Sequence, residues 1–422
     1  MRHLPGECCY LRALGSGCQG RAGATIRATM RTADVVVIGG GVNGASTAFH
    51  LTTLGVRDVL LLERRHLAAG ATGKSGALVR MHYTNDVESR LALESLKVFR
   101  DFGAIVGGEC GFEPVGFVQL VGPEYRDALR RNVARQQALG IDTREASLDD
   151  VRRLLPGVDL AGVGAAAWEP GSGFADPNAT TYAFAEAARR GGATIQTRCE
   201  AVRVVVEGGR VTGVETTAGR VATRAVVIAA GAWAPPLLAP LGLDYGLSPF
   251  RIQVAIFRWP AGFAQRHPAV IDATRMSWFR PEGAAATLIG VELGAAHADP
   301  EKFDEGVDAA YVARCREALT ARLPQFADAP MRGGWAGMIM MSPDGRPIID
   351  RLPAAEGLWA MLGDSGTSFK TAPAIGRCLA EWITAGAPST ADLHPFRASR
   401  FVEDPPWVDA DHYGGEGLTV SR

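Results

Sequence analysis

The sequence predicts an α/β fold: a Rossmann-type dinucleotide-binding domain in discontinuous segments, joined to an α+β substrate domain of mostly antiparallel strands with helices. Three observations carry that expectation. Asp34 to Glu63 reads strand, glycine turn, helix, strand, and the acid falls 19 residues after Gly44. A second short apolar run, Ala225 to Ala230, ends at Gly231 as a buried parallel strand does. From Arg251 to Trp259 apolar and polar residues alternate, the period of a half-covered strand.

Each element of the first unit has a physical reason. Asp34 to Ile38 is apolar and β-branched, as a strand buried on both faces must be. Gly39, Gly41 and Gly44 then fit G-x-G-x-x-G, with Val42 and Asn43 between them. The first glycine permits the sharp turn, the second lets backbone approach a pyrophosphate, and the third lets helix and strand pack closely. Ala45, Ala48, Phe49 and Thr52 follow at helical spacing, so the helix N-terminus points its N–H groups at the phosphates. Val59 to Leu62 forms the second strand, and Glu63 stands where a carboxylate accepts hydrogen bonds from a ribose.

Composition bounds the rest. A chain of 422 residues with 47% apolar content can bury a large core, in two domains. A formal net charge of −1 argues against nucleic acid or an anionic membrane as a partner held by bulk electrostatics. Seven cysteines without C-x-x-C or metal-ligand spacing fit a reducing compartment, hence a cytoplasmic protein with no metal site. Residues 1–31 read as a disordered extension, with Met30 an equally natural start. Ala225 to Leu243 is uncharged, but Gly231, Pro235, Pro236 and Pro240 break it, so no membrane span is expected. Ala68 followed by Gly73-Lys74-Ser75 mimics a phosphate loop. The polar run Arg64-Arg65-His66 separates it from its strand, which argues against nucleotide hydrolysis.

Gly70-Ala-Thr-Gly-Lys-Ser-Gly76, after a dinucleotide unit ending Glu63-Arg64, resembles the flavin-embracing loop of the D-amino acid oxidase superfamily. The closest likeness is to its sarcosine oxidase and dimethylglycine dehydrogenase branch. Further motifs follow in the family's order: Asp176-Pro177, Ala201 to Val204 leading into Gly208-Gly209, VVIAAGAW from Val226 to Trp233, Pro249-x-Arg251-x-Gln253, Phe279-Arg280-Pro281-Glu282, Pro343 to Pro347 and Gly363 to Lys370. The resemblance spans about Asp34 to Ile383. It implies FAD as cofactor, cradled by the glycine turn with Glu63 and Arg64, by Thr72, Lys74 and Ser75, by the backbone of Val202 at the adenine edge, and by Gly231, Gly363 and Gly366. It further implies that Arg80 and Lys370 bind a substrate carboxylate, a bidentate fork and a point charge respectively. His82 and Tyr83 are expected to line the same pocket. Lys370 also stands before a helix with Thr371 as N-cap and Pro373 in its first turn, where negative charge on a reduced flavin is stabilised.

Two departures refine this reading. The family's cysteine link to flavin falls in Gly337 to Ser342, which has no cysteine, so non-covalent FAD is expected, with His66 and His82 as the alternative tethers. The family's oxygen-activating lysine falls on the strand Thr287 to Glu292, which has no lysine. Electrons then pass to O2 or to an unknown carrier. The expected activity is oxidation of a secondary or tertiary amine bearing a carboxylate, such as an N-methyl amino acid. The alternatives are a glycine or D-amino acid oxidase, or a FAD-bound assembly factor or non-catalytic subunit; a homo- or hetero-oligomer suits any of these. The expected FAD-binding segments are 32–88, 173–243 and 340–384; 89–172 and 244–339 form the substrate domain, and 385–422 a C-terminal segment or tail, of which Glu403 to Arg422, polar and rich in Pro and Gly, reads as a tail or a subunit contact.

Overall fold

The structure is a computed structural model that describes residues 31–263, 266–292, 295–403 and 407–414. The extension expected at 1–31 lies outside the described residues except for Arg31. In chain order the elements used below are β1 (Val35–Ile38), α1 (Val42–Thr53), β2 (Val59–Leu62), α2 (Asp86–Arg100), α3 (Arg126–Ala138) and α4 (Pro177–Arg190). They continue with β3 (Val226–Ile228), β4 (Ser248–Arg258), β5 (Ser277–Glu282), β6 (Ala286–Val291), β7 (Met331–Met341), β8 (Leu358–Leu362) and α5 (Ala372–Ala385).

β1 and β2 are apolar throughout because both of their faces are covered. They sit inside a six-stranded sheet in the order Ile348–Arg351, β8, β3, β1, β2, Thr194–Gln196, parallel except at the β8 edge. Alternate residues of β1 serve opposite cores. Val35 and Val37 join Phe49, Leu51, Phe184 and Ile375 under α1, α4 and α5. Val36 and Ile38 join Val204, Val211, Val214 and Val221 of a small four-stranded sheet on the other face. Helix α5 can approach α1 closely because Gly376 has no side chain; a Cβ there would lie 2.3 Å from Ser46 Oγ.

The second layer is a nine-stranded, mostly antiparallel sheet. Near one edge of it β4 pairs with β6 on one side and with β7 on the other. One face packs Phe257, Phe279 and Ile289 against Tyr311 and Leu319 of the helix Ala309–Arg322. The other face looks towards the parallel sheet, and the cavity described below lies between them.

Three observations bear on the expected segments. Helix α2 packs Leu91, Ala92, Leu96 and Phe99 into the core of α1, so the parallel-sheet unit does not end at residue 88. β7 remains in the antiparallel sheet through Met341, so the boundary expected at 340 falls inside that strand. The C-terminal segment is not a free tail where it is described. Asp409 and Asp411 are buried, and they are held by Arg346 and Arg131. Burial by ion pairing leaves no hydropathic trace in a polar sequence, and residues 415–422 of that segment lie outside the described residues. Among the described residues, no helix is long and apolar enough to cross a membrane, and no group of acids, histidines and cysteines is arranged to hold a metal.

Candidate active site

A cavity of about 450 Å³ opens where the C-terminal ends of the parallel strands meet the antiparallel sheet. That edge is where open α/β sheets take their ligands. Gly39 turns the chain out of β1 at φ +115°, and a Cβ there would lie 2.2 Å from the Ala229 carbonyl oxygen. Gly44 is pressed to the turn itself: a Cβ would stand 2.0 Å from the Gly39 carbonyl oxygen. Gly41, Val42 and Asn43 line the cavity, while Gly44 lies behind them as the packing glycine. Gly41 is the N-cap of α1 and offers no side-chain acceptor to the first turn. Thr72 Oγ1 accepts from Val42 N at 3.1 Å, which ties the loop after β2 to the helix start. The Asn43 amide oxygen is buried without a partner inside the protein.

Glu63 follows β2 and is braced at both oxygens, accepting from Gly40 N at 2.8 Å and from Arg65 N at 2.7 Å. Its carboxylate is thus held in the wall beside the glycine turn. Arg64 and Lys74 also line the cavity, but each is engaged from across it. Arg64 forms a fork to Glu301 at 2.6 and 2.8 Å, and Trp233 Nε1 donates to the same carboxylate at 2.6 Å. Lys74 Nζ reaches Glu305 at 2.7 Å. Glu301 and Glu305 belong to the strap that leads from the antiparallel sheet to the helix Ala309–Arg322, so these pairs fence the nucleotide half of the cavity.

The opposite half is defined by cations over an apolar wall. Arg80 is 2% exposed and Lys370 is 6% exposed; both line the cavity. Both lie over one aromatic ring, with Arg80 Cζ 4.6 Å and Lys370 Nζ 5.1 Å from the centre of Tyr83. Lys370 Nζ donates to the Thr367 carbonyl at 3.0 Å, and the Tyr83 hydroxyl donates to the same oxygen at 3.3 Å. Arg80 Nη1 donates to the His82 carbonyl. Burial pulls the Arg80 guanidinium below its ordinary range, against the countervailing pull of nearby Tyr83 and Glu169. Phe250, Ile252 and Val254, alternate residues of β4, form the wall with Ile271 and Trp278. Trp278 fits only because two neighbours lack side chains. A Cβ on Gly76 or Gly290 would lie 2.1 or 2.6 Å from its ring.

The structure gathers most of the residues the sequence singles out. Ser75, Gly231, Gly363 and Gly366 line the cavity with those already named. Three do not. Val202 is 54% exposed, and the wall at that end comes from Glu200 and Ala201. His82 and Tyr83 are buried behind Arg80 rather than in the wall. Burial, aided by the Arg80 charge, holds His82 down at about 3, so its ring is neutral near pH 7. Thr371 occupies the N-cap position of α5, yet its hydroxyl donates to Ser368 O at 3.2 Å instead of capping the helix.

Sequence reasoning missed several members. Glu169 is buried in the Arg80 neighbourhood, accepting from Ser172 Oγ at 2.6 Å and Met81 N at 3.0 Å, and burial raises its carboxyl. Asp364 lines the cavity, and burial lifts it to about 6. The one signal for Trp278 is its pairing opposite Gly290, which requires the strand register to be known.

A cavity with a glycine cradle at a helix start, a braced acid after β2 and an unpartnered Asn43 oxygen suits a dinucleotide. A second helix start beside Lys370 suits a flavin ring that gains negative charge on reduction. Comparison with known proteins agrees. Residues 34–382 match the model of the DAO family, described as FAD dependent oxidoreductase. Sarcosine dehydrogenase from Homo sapiens is 27% identical over 94% of this chain and 45% of its own length. The pyruvate dehydrogenase phosphatase regulatory subunit from Mus musculus is 26% identical over 85% of this chain and 42% of its own. This chain therefore spans less than half the length of either. L-proline dehydrogenase from P. horikoshii superposes with a TM-score of 0.81 at 26% identity, covering 88% of this chain and 98% of that one. With a family match over most of its length and a cavity built for the family's cofactor, the chain belongs to the DAO family of FAD-dependent oxidoreductases.

Proposed function

We propose that this protein oxidises a secondary or tertiary amine that bears a carboxylate, an N-methyl amino acid of the sarcosine or dimethylglycine type, with FAD held non-covalently. The carrying observation is that Arg80 and Lys370, two buried cations, both line the cavity and lie 4.6 and 5.1 Å from the centre of the same Tyr83 ring. Two buried cations so placed attract a carboxylate, while Phe250, Ile252, Val254, Ile271 and Trp278 keep water from the rest of the substrate. Bound FAD supplies the acceptor for a hydride equivalent from the carbon next to nitrogen, and the resulting imine is hydrolysed by water. Held by its carboxylate, the amine is set at a fixed distance from the two cations, and such positioning is the protein's main contribution. No general base is assigned, because an amine bound without its proton needs none.

Among the described residues lining the cavity, none is a cysteine or histidine, which supports a flavin without a covalent tether. β6 carries no lysine at the position the family uses for oxygen, which supports an electron acceptor other than oxygen. A second reading, a flavin-holding subunit without turnover, is supported by the likeness to the phosphatase regulatory subunit. An anaerobic titration of the holoprotein with sarcosine, dimethylglycine, glycine and D-alanine separates these. Bleaching of the oxidised flavin band by the N-methylated compounds is expected. Bleaching by glycine or D-alanine alone replaces the proposed substrate class, and a yellow protein that no amine bleaches overturns turnover altogether. Readmitting air then reads the acceptor.

A further inference from the structure

We propose that the C-terminal stretch 407–413 is a latch that positions Arg80 for the substrate carboxylate, with Tyr413 as its positioning residue. The inference rests on the reading of Arg80 as the carboxylate's partner. Arg80 Nη1 donates to the backbone carbonyl of His82, so the placement of that peptide sets the guanidinium. The His82 ring, 1% exposed, is fixed from the far side: its Nε2 lies 2.8 Å from the Tyr413 hydroxyl, and the two rings stack with centres 5.7 Å apart. Asn132 on α3 donates to the same hydroxyl at 2.7 Å and to the Asp411 carbonyl at 2.9 Å. Tyr413 Oη thus accepts from Asn132 and shares a hydrogen bond with His82 Nε2 whose direction the imidazole tautomer sets. Arg131 Nε holds the Asp411 carboxylate at 2.8 Å.

The same stretch grips the next residues of the loop. Asp409 Oδ2 accepts from Thr84 Oγ1 at 2.5 Å, from Arg346 Nη2 at 2.5 Å and from Asn85 Nδ2 at 3.3 Å. Trp407 Nε1 donates to Asp409 Oδ1 at 3.0 Å, and the Arg346 guanidinium lies 4.3 Å from the Trp407 ring centre. Residues 82, 84 and 85 are thus held from outside by a segment more than 300 residues later, none of which lines the cavity. Its influence on binding passes through Arg80.

The test uses full-length holoenzyme and the variants Tyr413→Phe, Arg80→Met and the double variant. The probe is acetate, whose dissociation constant is read from its perturbation of the flavin spectrum, so no turnover is needed. KM and kcat for an N-methyl amino acid form the second readout. Loss of one neutral hydrogen bond corresponds to about fivefold, so Tyr413→Phe is expected to weaken acetate about fivefold and to raise KM more than it lowers kcat. In the Arg80→Met background the same change is expected to do nothing further. Equal weakening in both backgrounds, or unchanged acetate binding in Tyr413→Phe, overturns the latch while leaving the function intact. A wild-type holoenzyme that ignores acetate, or an Arg80→Met variant that binds it equally well, overturns the carboxylate reading and the latch together. Should Tyr413→Phe fail to fold, Asp409→Asn is judged by the same comparison.

Discussion

Replacing Arg80 by methionine tests the chemistry of the site most directly. The side chain is 2% exposed, so a carboxylate that reaches it does so largely out of water. A charge-assisted hydrogen bond is worth about 1.5–3 kcal/mol, so two at the lower value give about 3 kcal/mol, roughly 150-fold in kcat/KM. Lys370 remains 5.1 Å from the centre of Tyr83 and retains part of the grip, so a loss of about 100-fold is the expectation. The fold should tolerate the change. Methionine keeps most of the volume beside Tyr83 and Phe117 and removes a cation whose burial is itself costly. The assay compares N-methylalanine with N-methylethylamine, which lacks the carboxylate. Only the first should lose efficiency. Equal losses for both, or loss of flavin from the variant, would refute the assignment and make Arg80 a structural cation.

Two further outcomes follow from the same geometry. Gly44→Ala places a methyl 2.0 Å from the Gly39 carbonyl oxygen, where backbone cannot yield. It should cost about 1–3 kcal/mol in thermal stability and release FAD on gel filtration, and a yellow, normally melting variant would deny the close approach. His50, His82 and His267 are held down at about 4, 3 and 4, with burial the largest cause in each. Because their folded values lie below the ordinary one, the stability they contribute is present above about pH 6.5 and is lost as pH falls towards 4. Between pH 6.5 and 5 each should take away about 2 kcal/mol, read as a fall in denaturant midpoint; a midpoint unchanged over that range would contradict the burial of these rings.

What the sequence discloses here depends on whether a constraint is local. Gly39, Gly41, Gly44 and Glu63 are legible because a turn, a helix start and an acid must sit at fixed spacing within one βαβ unit, and backbone geometry alone enforces it. Arg80 and Lys370 are a different case. Nothing in their own surroundings says that they share a ring; the resemblance pairs them, and Tyr83 is the physical link that the sequence hides. His82 looked like a pocket residue because it neighbours Arg80, yet its ring is turned to Tyr413 across the fold. The segment 407–413 reads as a tail because its residues are mostly polar. The burial of its Asp409 and Asp411 and the anchoring of Tyr413 rest on Arg346, Arg131, Asn132 and Thr84, all distant partners whose own roles are equally invisible one at a time. Helix α2 shows the same limit at the level of domains: its apolar face is evident from spacing, but a face does not state which of two cores it will join. The cofactor half of this site is thus written in short-range spacing. The substrate half is written in contacts between distant segments, and there a single substitution far along the chain can change how the substrate is held.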